Sequence, residues 1–580
     1  MDESNAIPIV PAATDAASER SERFTPQKPL QTLDGGGIFI SPSIVTYLTG
    51  NKLVALALWI FGGLYSFCSI YIYLGYGLAW PYNGGEFIYI SKIFPVPPLL
   101  FACSFAWAFI AFATSTANAF TFARYIDPTK AEQEDVWRTR FIACVVVVGV
   151  SALHYRFVNI GILGNNLLAG FKIIFLTVLV IAGCAGTIRG GLNGDLPGLQ
   201  DWTTFHGTPS VTNIALATLQ VLFSYQGWEN ANYVTSEIKG DRENKKRILK
   251  AGALIAISIV VALYVSFNLF LFLIVDFDAI TDAVTNGVGN ITADYAIRAF
   301  GSKNTTMASH AIYISIALTA AGNLIGVTFT RARVHRDIAR HRIIPFSGFF
   351  AKSSNYGTAQ WDNLGTPTGG LILQALVTCI TIAAVEPFRT VLTYSTYGHA
   401  VACLILGIGV LFIRKRMTQY GTQNADPYGV GYDPEWSYSI MKSPLIRYSA
   451  VVFWTLVNLC LIIIPFISTK NPDGSPRDTP AWVQPVAVTA VYVAGAGAAL
   501  YIVGVVPGFR FQQSGDRSDP IRFLDYNDRR WIVRYPNYRK GGWWAGVVRL
   551  FTPLPWDEIW NRLNDNGEAR TAEELRNRNR

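Results

Sequence analysis

Charge is what this sequence has least of. Asp, Glu, Lys and Arg together make up 15% of its 580 residues, against about 25% in a soluble protein, so a membrane class is favoured over a solvated globule. Cysteine pairs are missing from the connecting segments. Cys68, Cys103, Cys144, Cys184, Cys379, Cys403 and Cys460 all fall in apolar stretches, which suggests neither a disulfide framework nor a zinc site. The six histidines are scattered without ligand-like spacing. Metal-ligating and nucleophilic chemistry therefore lack support: no cofactor, no metal and no enzymatic activity are expected. Residues 1–33 contain no apolar run, so no signal peptide is expected and the segment reads as a disordered cytosolic tail. The net charge of +9 forms no patterned basic domain, so nucleic acid is not an expected partner. The basic residues lie between apolar segments and read as determinants of topology.

What is present is a series of apolar runs. A first, short one extends from Gly35 to about Leu48, roughly 20 Å of helix at 1.5 Å per residue, less than the ~30 Å of a bilayer core. Fuller spans follow at 52–79, 98–123, 139–157, 163–188, 211–235, 248–275, 308–330, 368–386, 389–413, 445–468 and 481–507. With the short segment these make about twelve, an all-α polytopic membrane protein with both termini on one side. Connections 236–250, 331–352 and 414–447 are rich in Lys and Arg, whereas 125–137, 189–210, 276–307 and 469–480 are nearly free of them. The positive-inside rule then places both termini in the cytosol. The sequons at Asn290 and Asn304 fall in the 276–307 loop, on the outer side of that topology, and are glycosylation candidates. The expected division is a tail over 1–33, a transmembrane domain over 34–507 and a cytosolic tail over 508–580. That last tail holds Trp531, Trp543, Trp544, Trp556 and Trp560 among many Arg and reads as irregular chain packed on the cytosolic face, with a membrane-lying segment as the alternative.

Two runs are interrupted by residues that a lipid-facing helix would not choose. In the sixth, Phe223-Ser-Tyr-Gln-Gly-Trp228 is followed by Glu229, Asn230 and Asn232, polar groups that need protein or a water-filled cavity beside them. In the first, Gly35, Gly36 and Gly37 precede Ile38, where a helix is expected to resume. Three glycines disfavour helix by about 1 kcal/mol each relative to Ala, and unwound backbone offers N–H groups to an anion. The first and sixth runs occupy matching places in two five-helix halves, the pattern of inverted-repeat transporters. N–H donors from one and carbonyls from the other would make a site for a zwitterion such as an amino acid. A flexible junction and a kinked, internally satisfied helix are the plainer alternatives.

Taken together the motifs resemble a known family. Gly35-Gly-Gly-Ile-Phe-Ile-Ser-Pro42 is similar to the G-S-G-I-F-x-x-P element of amino acid permeases of the amino acid–polyamine–organocation superfamily. Pro81-Tyr-Asn-Gly-Gly-Glu86-Phe87 resembles their P-x-x-G-G-E-[YF] loop. Phe223-Ser-Tyr-Gln-Gly-Trp228 with Asn232-Tyr-Val-Thr-Ser-Glu237 resembles the signature of the L-type amino acid transporter branch, beside which fungal high-affinity methionine permeases fall. The resemblance runs in register from about 35 to 415, and it implies a LeuT-like five-plus-five inverted repeat with helices 1 and 6 interrupted. It also implies roles. Gly35, Gly36 and Gly37 would bind the substrate carboxylate, and carbonyls around Phe223, Ser224, Gln226 and Gly227 its ammonium. Phe223 would be an aromatic gate, Trp228 a lower wall, and Asn323, eight residues before Arg331, a site-lining residue of the eighth helix.

Lys172 lies some nine residues into the fifth run, where a lysine costs about 2.5–3.5 kcal/mol on insertion scales and should face the protein interior. By resemblance it stands where proton-coupled permeases carry a lysine in place of a bound sodium, and would exchange a proton; a structural partner of helix carbonyls is the alternative. Glu86 reads as a loop anchor. Two departures stand out: the polar stretch Pro26–Asp34 replaces an apolar half-helix, so the N-terminal half of helix 1 is expected to be missing, and residues 125–137 lack the cysteine through which L-type transporters bond a heavy chain, so no disulfide-linked partner is expected. The implied function is proton-coupled import of a neutral amino acid such as methionine across the plasma membrane by alternating access. A permease for choline, GABA or another small amine, and a non-transporting sensor or inactive paralogue, remain alternatives.

Overall fold

The computed structural model describes residues 36–504 and three strands between 510 and 534. Outside the described residues lie 1–35, 81–82, 95–99, 131–134, 194–195, 208, 236–241, 286–289, 342, 354–365, 385–387, 422–443, 468–481, 505–509, 515–523, 527–528 and 535–580. Gly35, the polar stretch before it, and Trp543, Trp544, Trp556 and Trp560 are among them.

A single 3-10 turn, Gly36–Phe39, leads into α1 (Ser41–Thr49). The helix thus begins at Ser41 and not at Ile38, where the sequence places it. Started at Ile38, it would carry Pro42 in its second turn, where proline removes a backbone bond; started at Ser41, it holds Pro42 in the first turn, where none is lost. The Ile40 N–H instead closes the turn on the Gly37 carbonyl at 3.1 Å.

The chain continues through α2 (Lys52–Ala79), α3 (Glu86–Ile93), α4 (Leu100–Phe112), α5 (Thr116–Tyr125), α6 (Val136–Arg156) and α7 (Val158–Asn193). Next come α8 (Pro197–Gln200), α9 (Val211–Tyr225), α10 (Asn230–Tyr233), α11 (Arg242–Ile274), α12 (Phe277–Thr285), α13 (Ile291–Phe300) and α14 (Thr305–Arg340). Last are α15 (Ser347–Phe350), α16 (Thr368–Ala384), α17 (Phe388–Gly421), α18 (Pro444–Ile463) and α19 (Val483–Gly504). Among the described residues eight helical stretches are long and apolar enough to cross a membrane, and Val211–Tyr225, Thr368–Ala384 and Val483–Ala499 are shorter apolar helices. The protein is an all-α polytopic membrane protein in its apolar region. The tail after it is not irregular throughout: β1 (Arg510–Ser514), β2 (Leu524–Tyr526) and β3 (Arg529–Arg534) form an antiparallel sheet in the order β1-β3-β2. Only Asn527 and Asp528 join β2 to β3 in sequence, a two-residue connection of the type that favours hairpins, and the arginines around it conceal the strand pattern.

Side-chain distribution is that of a lipid-solvated bundle. On α7, Ile160, Leu163, Leu167, Ile174 and Ile181 are exposed, while Gly161, Ala169, Lys172, Leu176, Leu179 and Gly183 form the buried stripe. Apolar groups that meet hydrocarbon cost nothing there, so inward faces are free to be small or polar. α14 is the central helix, packed by α5, α7 and α16. The span at 98–123 is parted at Ala113–Ser115, a break that the apolar pattern does not reveal. The Thr114 carbonyl accepts from Arg331 Nη1 at 2.8 Å, and the Ser115 N–H donates to the Thr378 hydroxyl at 3.4 Å. Neighbouring side chains thus satisfy the freed backbone, as hydrocarbon requires.

At one end of the bundle the buried Lys52 ammonium donates to the carbonyls of Gly198 (3.0 Å) and Val275 (2.8 Å), tying α8 to the end of α11. Charge-assisted hydrogen bonds are worth about 1.5–3 kcal/mol each, partly offset here by the cost of burying the charge. Lys52→Met is expected to destabilise the purified protein by about 2 kcal/mol net, read as a fall of several degrees in melting temperature. An unchanged melting temperature would show the clasp to be idle.

Candidate substrate site

The break after α9 is built from its own sequence. α9 starts where the Ser210 side chain accepts from the Asn213 N–H, and ends because Gln226 turns extended (ψ 153°) and Gly227 has φ 129°, a conformation closed to residues with a Cβ. Its polar groups are largely occupied locally: Glu229 Oε2 accepts from the Gly227 N–H at 2.9 Å, Asn230 Nδ2 donates to the Gly227 carbonyl at 3.2 Å, and the Thr330 hydroxyl donates to Asn230 Oδ1 at 2.7 Å. Gly227→Ala is expected to cost about 1–3 kcal/mol of strain and to lower the yield of folded protein in detergent, which fluorescence-detected gel filtration reads.

The 3-10 turn meets this break from the other side. A Cβ on Gly37 would lie 2.8 Å from Ser224 Oγ and 3.1 Å from the Phe223 ring, and Ser224 Oγ donates to Ser41 Oγ at 3.0 Å. Gly37 therefore stands directly against Phe223 and Ser224. Phe223 and Gln226 are half-buried. Trp228 is buried edge-on to Tyr73 with ring centroids 4.5 Å apart, and 5.4 Å from the His399 ring. α1 has no capping side chain at its start, so no side chain competes there for the first N–H groups of the helix.

A further polar group joins α7, α14 and α5. Lys172, 4% exposed on the inward stripe of α7, donates to Asn323 Oδ1 on α14 at 3.2 Å. Asn323 Nδ2 in turn reaches Asn118 Oδ1 on α5 at 3.5 Å. Three helices are thus joined by a lysine and two amides at depths where polar groups need protein partners.

The family model for amino acid permeases matches residues 30–493. The chain belongs to the amino acid permease family. The high-affinity methionine permease of Saccharomyces cerevisiae is 27% identical over 473 residues, which cover 80% of this chain and 75% of that protein. The low-affinity methionine permease of the same yeast is 25% identical, covering 68% and 70%. Human Asc-type amino acid transporter 1 is 28% identical over a shorter region, 54% of this chain and 56% of the relative. These likenesses agree with the resemblance carried by the glycine and Phe223–Trp228 motifs.

Several polar contacts of this permease escape a reading of the sequence. Ser41 sits in a motif but looks like a mere helix start, and only the fold puts its hydroxyl on Ser224. Asn118 is a single amide in an apolar run, with no periodic signal to mark it. The two sequons also part company. Asn290 is 5% exposed and its Nδ2 donates to the Tyr125 hydroxyl at 2.8 Å, whereas Asn304 is exposed at the start of α14. Of the two side chains, Asn304 is the more accessible.

Proposed function

We propose that this permease imports a neutral amino acid, methionine first among candidates, across the plasma membrane in symport with a proton, by alternating access in a five-plus-five inverted repeat of about twelve spans with both termini in the cytosol. Gly35, Gly36 and Gly37 would take the substrate carboxylate and the end of α9 its ammonium, with Phe223 as gate, Gln226 and Gly227 at the break, Trp228 below and Asn323 at the side. The observation that carries the reading is the bond from Lys172 to Asn323. The cation that would exchange a proton is bonded to the amide that would line the substrate site, which supports a reading in which substrate occupancy and protonation act on one contact. The yeast relatives named as methionine permeases support the substrate, and their 25–27% identity leaves the side-chain pocket to be measured. The experiment is uptake of radiolabelled methionine in a permease-deficient host across external pH, with choline and GABA as competitors. Accumulation that grows as external pH falls supports the reading. Uptake that is absent, or that choline or GABA abolishes, removes methionine. For topology, a tag at residue 300 should be labelled on intact cells; labelling only after permeabilisation reverses the orientation.

A further inference from the structure

The loop that resembles P-x-x-G-G-E-F ends on a side chain that no part of the transport site uses. Glu86 opens α3, outside the eight long apolar helices, and is 1% exposed. Its Oε1 accepts two phenols, Tyr73 from α2 at 2.9 Å and Tyr233 from α10 at 3.0 Å. Its Oε2 is buried without a hydrogen-bond partner among the described residues. A carboxylate in such a place would have one oxygen stripped of water and uncompensated, whereas a carboxylic acid would not carry that penalty.

We propose that Glu86 is a second proton-binding site of this protein, one that latches the short helix after the α9 break to α2 and α3 and releases it when the proton leaves. The inference goes beyond the role given to Lys172 and draws on different residues. α10 is held at this point by three contacts: Tyr233 bonds Glu86 and packs its ring on Gly85, and Asn232 Nδ2 donates to the Tyr73 carbonyl at 3.0 Å. Tyr73 also carries Trp228 on its ring, so a change at Glu86 reaches the lower wall of the break directly.

The surrounding charges agree in sign. Burial, and then the negative charge of Glu229, push the Glu86 carboxyl up from 4.5 to about 7. Two further charged groups of α14 stand nearby: Arg331, which acts on Tyr233 and His399, and Asp337, paired with Arg336 and Arg340, whose Oδ2 would lie 3.3 Å from a Cβ on Gly84. Other titratable neighbours are Tyr89 of α3, Cys403 and His399 of α17 and Tyr492 of α19, with His341 packed on the Phe87 ring. Since the packed state holds its proton more tightly than a hydrated carboxyl does, that state is favoured at low pH. It loses ground as pH rises from about 4.5 through about 7.

The test is an infrared difference titration of the purified full-length protein in lipid nanodiscs, across roughly pH 5 to 9, reading the C=O stretch of protonated carboxyl groups. The expected result is a band that disappears near pH 7, is missing from Glu86→Gln, and titrates at higher pH in Tyr233→Phe, where the carboxylate has lost one donor. Gln keeps an oxygen for both phenols, so the variant should still fold; Tyr233→Phe supplies an independent check if it does not. A band that persists unchanged in Glu86→Gln overturns the proposal, as does a wild-type protein with no such band. Methionine uptake is measured alongside. A titrating band in a chain that does not transport leaves the proton site standing and removes the transport reading, whereas uptake without the band does the reverse.

Discussion

With Lys172 replaced by Gln, methionine accumulation driven by a pH gradient is expected to collapse to near equilibrium. One proton per substrate moving down a gradient of one pH unit is worth about 1.4 kcal/mol, or about a tenfold accumulation; a carrier that has lost its exchanging group can only equilibrate, a ratio of about one. Gln keeps a donor for Asn323 Oδ1, which now receives the Lys172 ammonium at 3.2 Å, so the join between α7 and α14 is retained while the charge is not. Exchange of internal for external methionine should therefore survive, and this separates loss of coupling from loss of fold. The measurement is the steady-state inside-to-outside ratio at external pH 1 unit below internal, set by ionophore, with surface amount checked by biotinylation. Accumulation near tenfold in the Gln variant would mean that Lys172 is a structural partner of the α14 amide and that the proton travels elsewhere.

Why Lys172 was legible in the sequence, and Asn118 was not, is a matter of cost. An ammonium deep in an apolar run is expensive wherever it points outward, so its position alone dictates an inward face, and α7 does bury it between Ala169 and Leu176. An isolated amide costs far less, gives no such constraint, and acquires meaning only when the fold brings Asn323 to it. The long spans were legible for the same reason, because bilayer thickness sets their length. Breaks were legible where glycine signals them, as at Gly227. They were not at Ala113–Ser115, whose unwound backbone is met by Arg331 and Thr378 from helices far along the chain. The small sheet that begins at Arg510 was missed because β3 carries three arginines in six residues and the strands draw on backbone pairing, which composition does not record.

Gly37→Ala is expected to lower methionine uptake by about tenfold to a hundredfold with normal amounts of protein at the cell surface. The added methyl group would lie 2.8 Å from Ser224 Oγ and 3.1 and 3.3 Å from two atoms of the Phe223 ring. The hydroxyl cannot swing aside without cost, because it is within hydrogen-bond distance of both Ser41 Oγ and the Gln220 carbonyl. Relief must come from the ring or from parting the 3-10 turn from α9. Overpacking of this kind costs about 1–3 kcal/mol, small against the stability of the whole bundle but a factor of about ten to a hundred when it falls on a bound or transition state. The turn and the end of α9 are also the two surfaces between which a zwitterion would sit, so the error is placed where it acts on transport first. The double variant Gly37→Ala with Ser224→Ala removes the closest contact and should recover part of the lost uptake, leaving only the Phe223 contact to accommodate. Wild-type uptake in the single variant would mean that the turn and α9 do not stay together during transport, and the substrate site would then have to be drawn around the break at Gln226 and Gly227 alone.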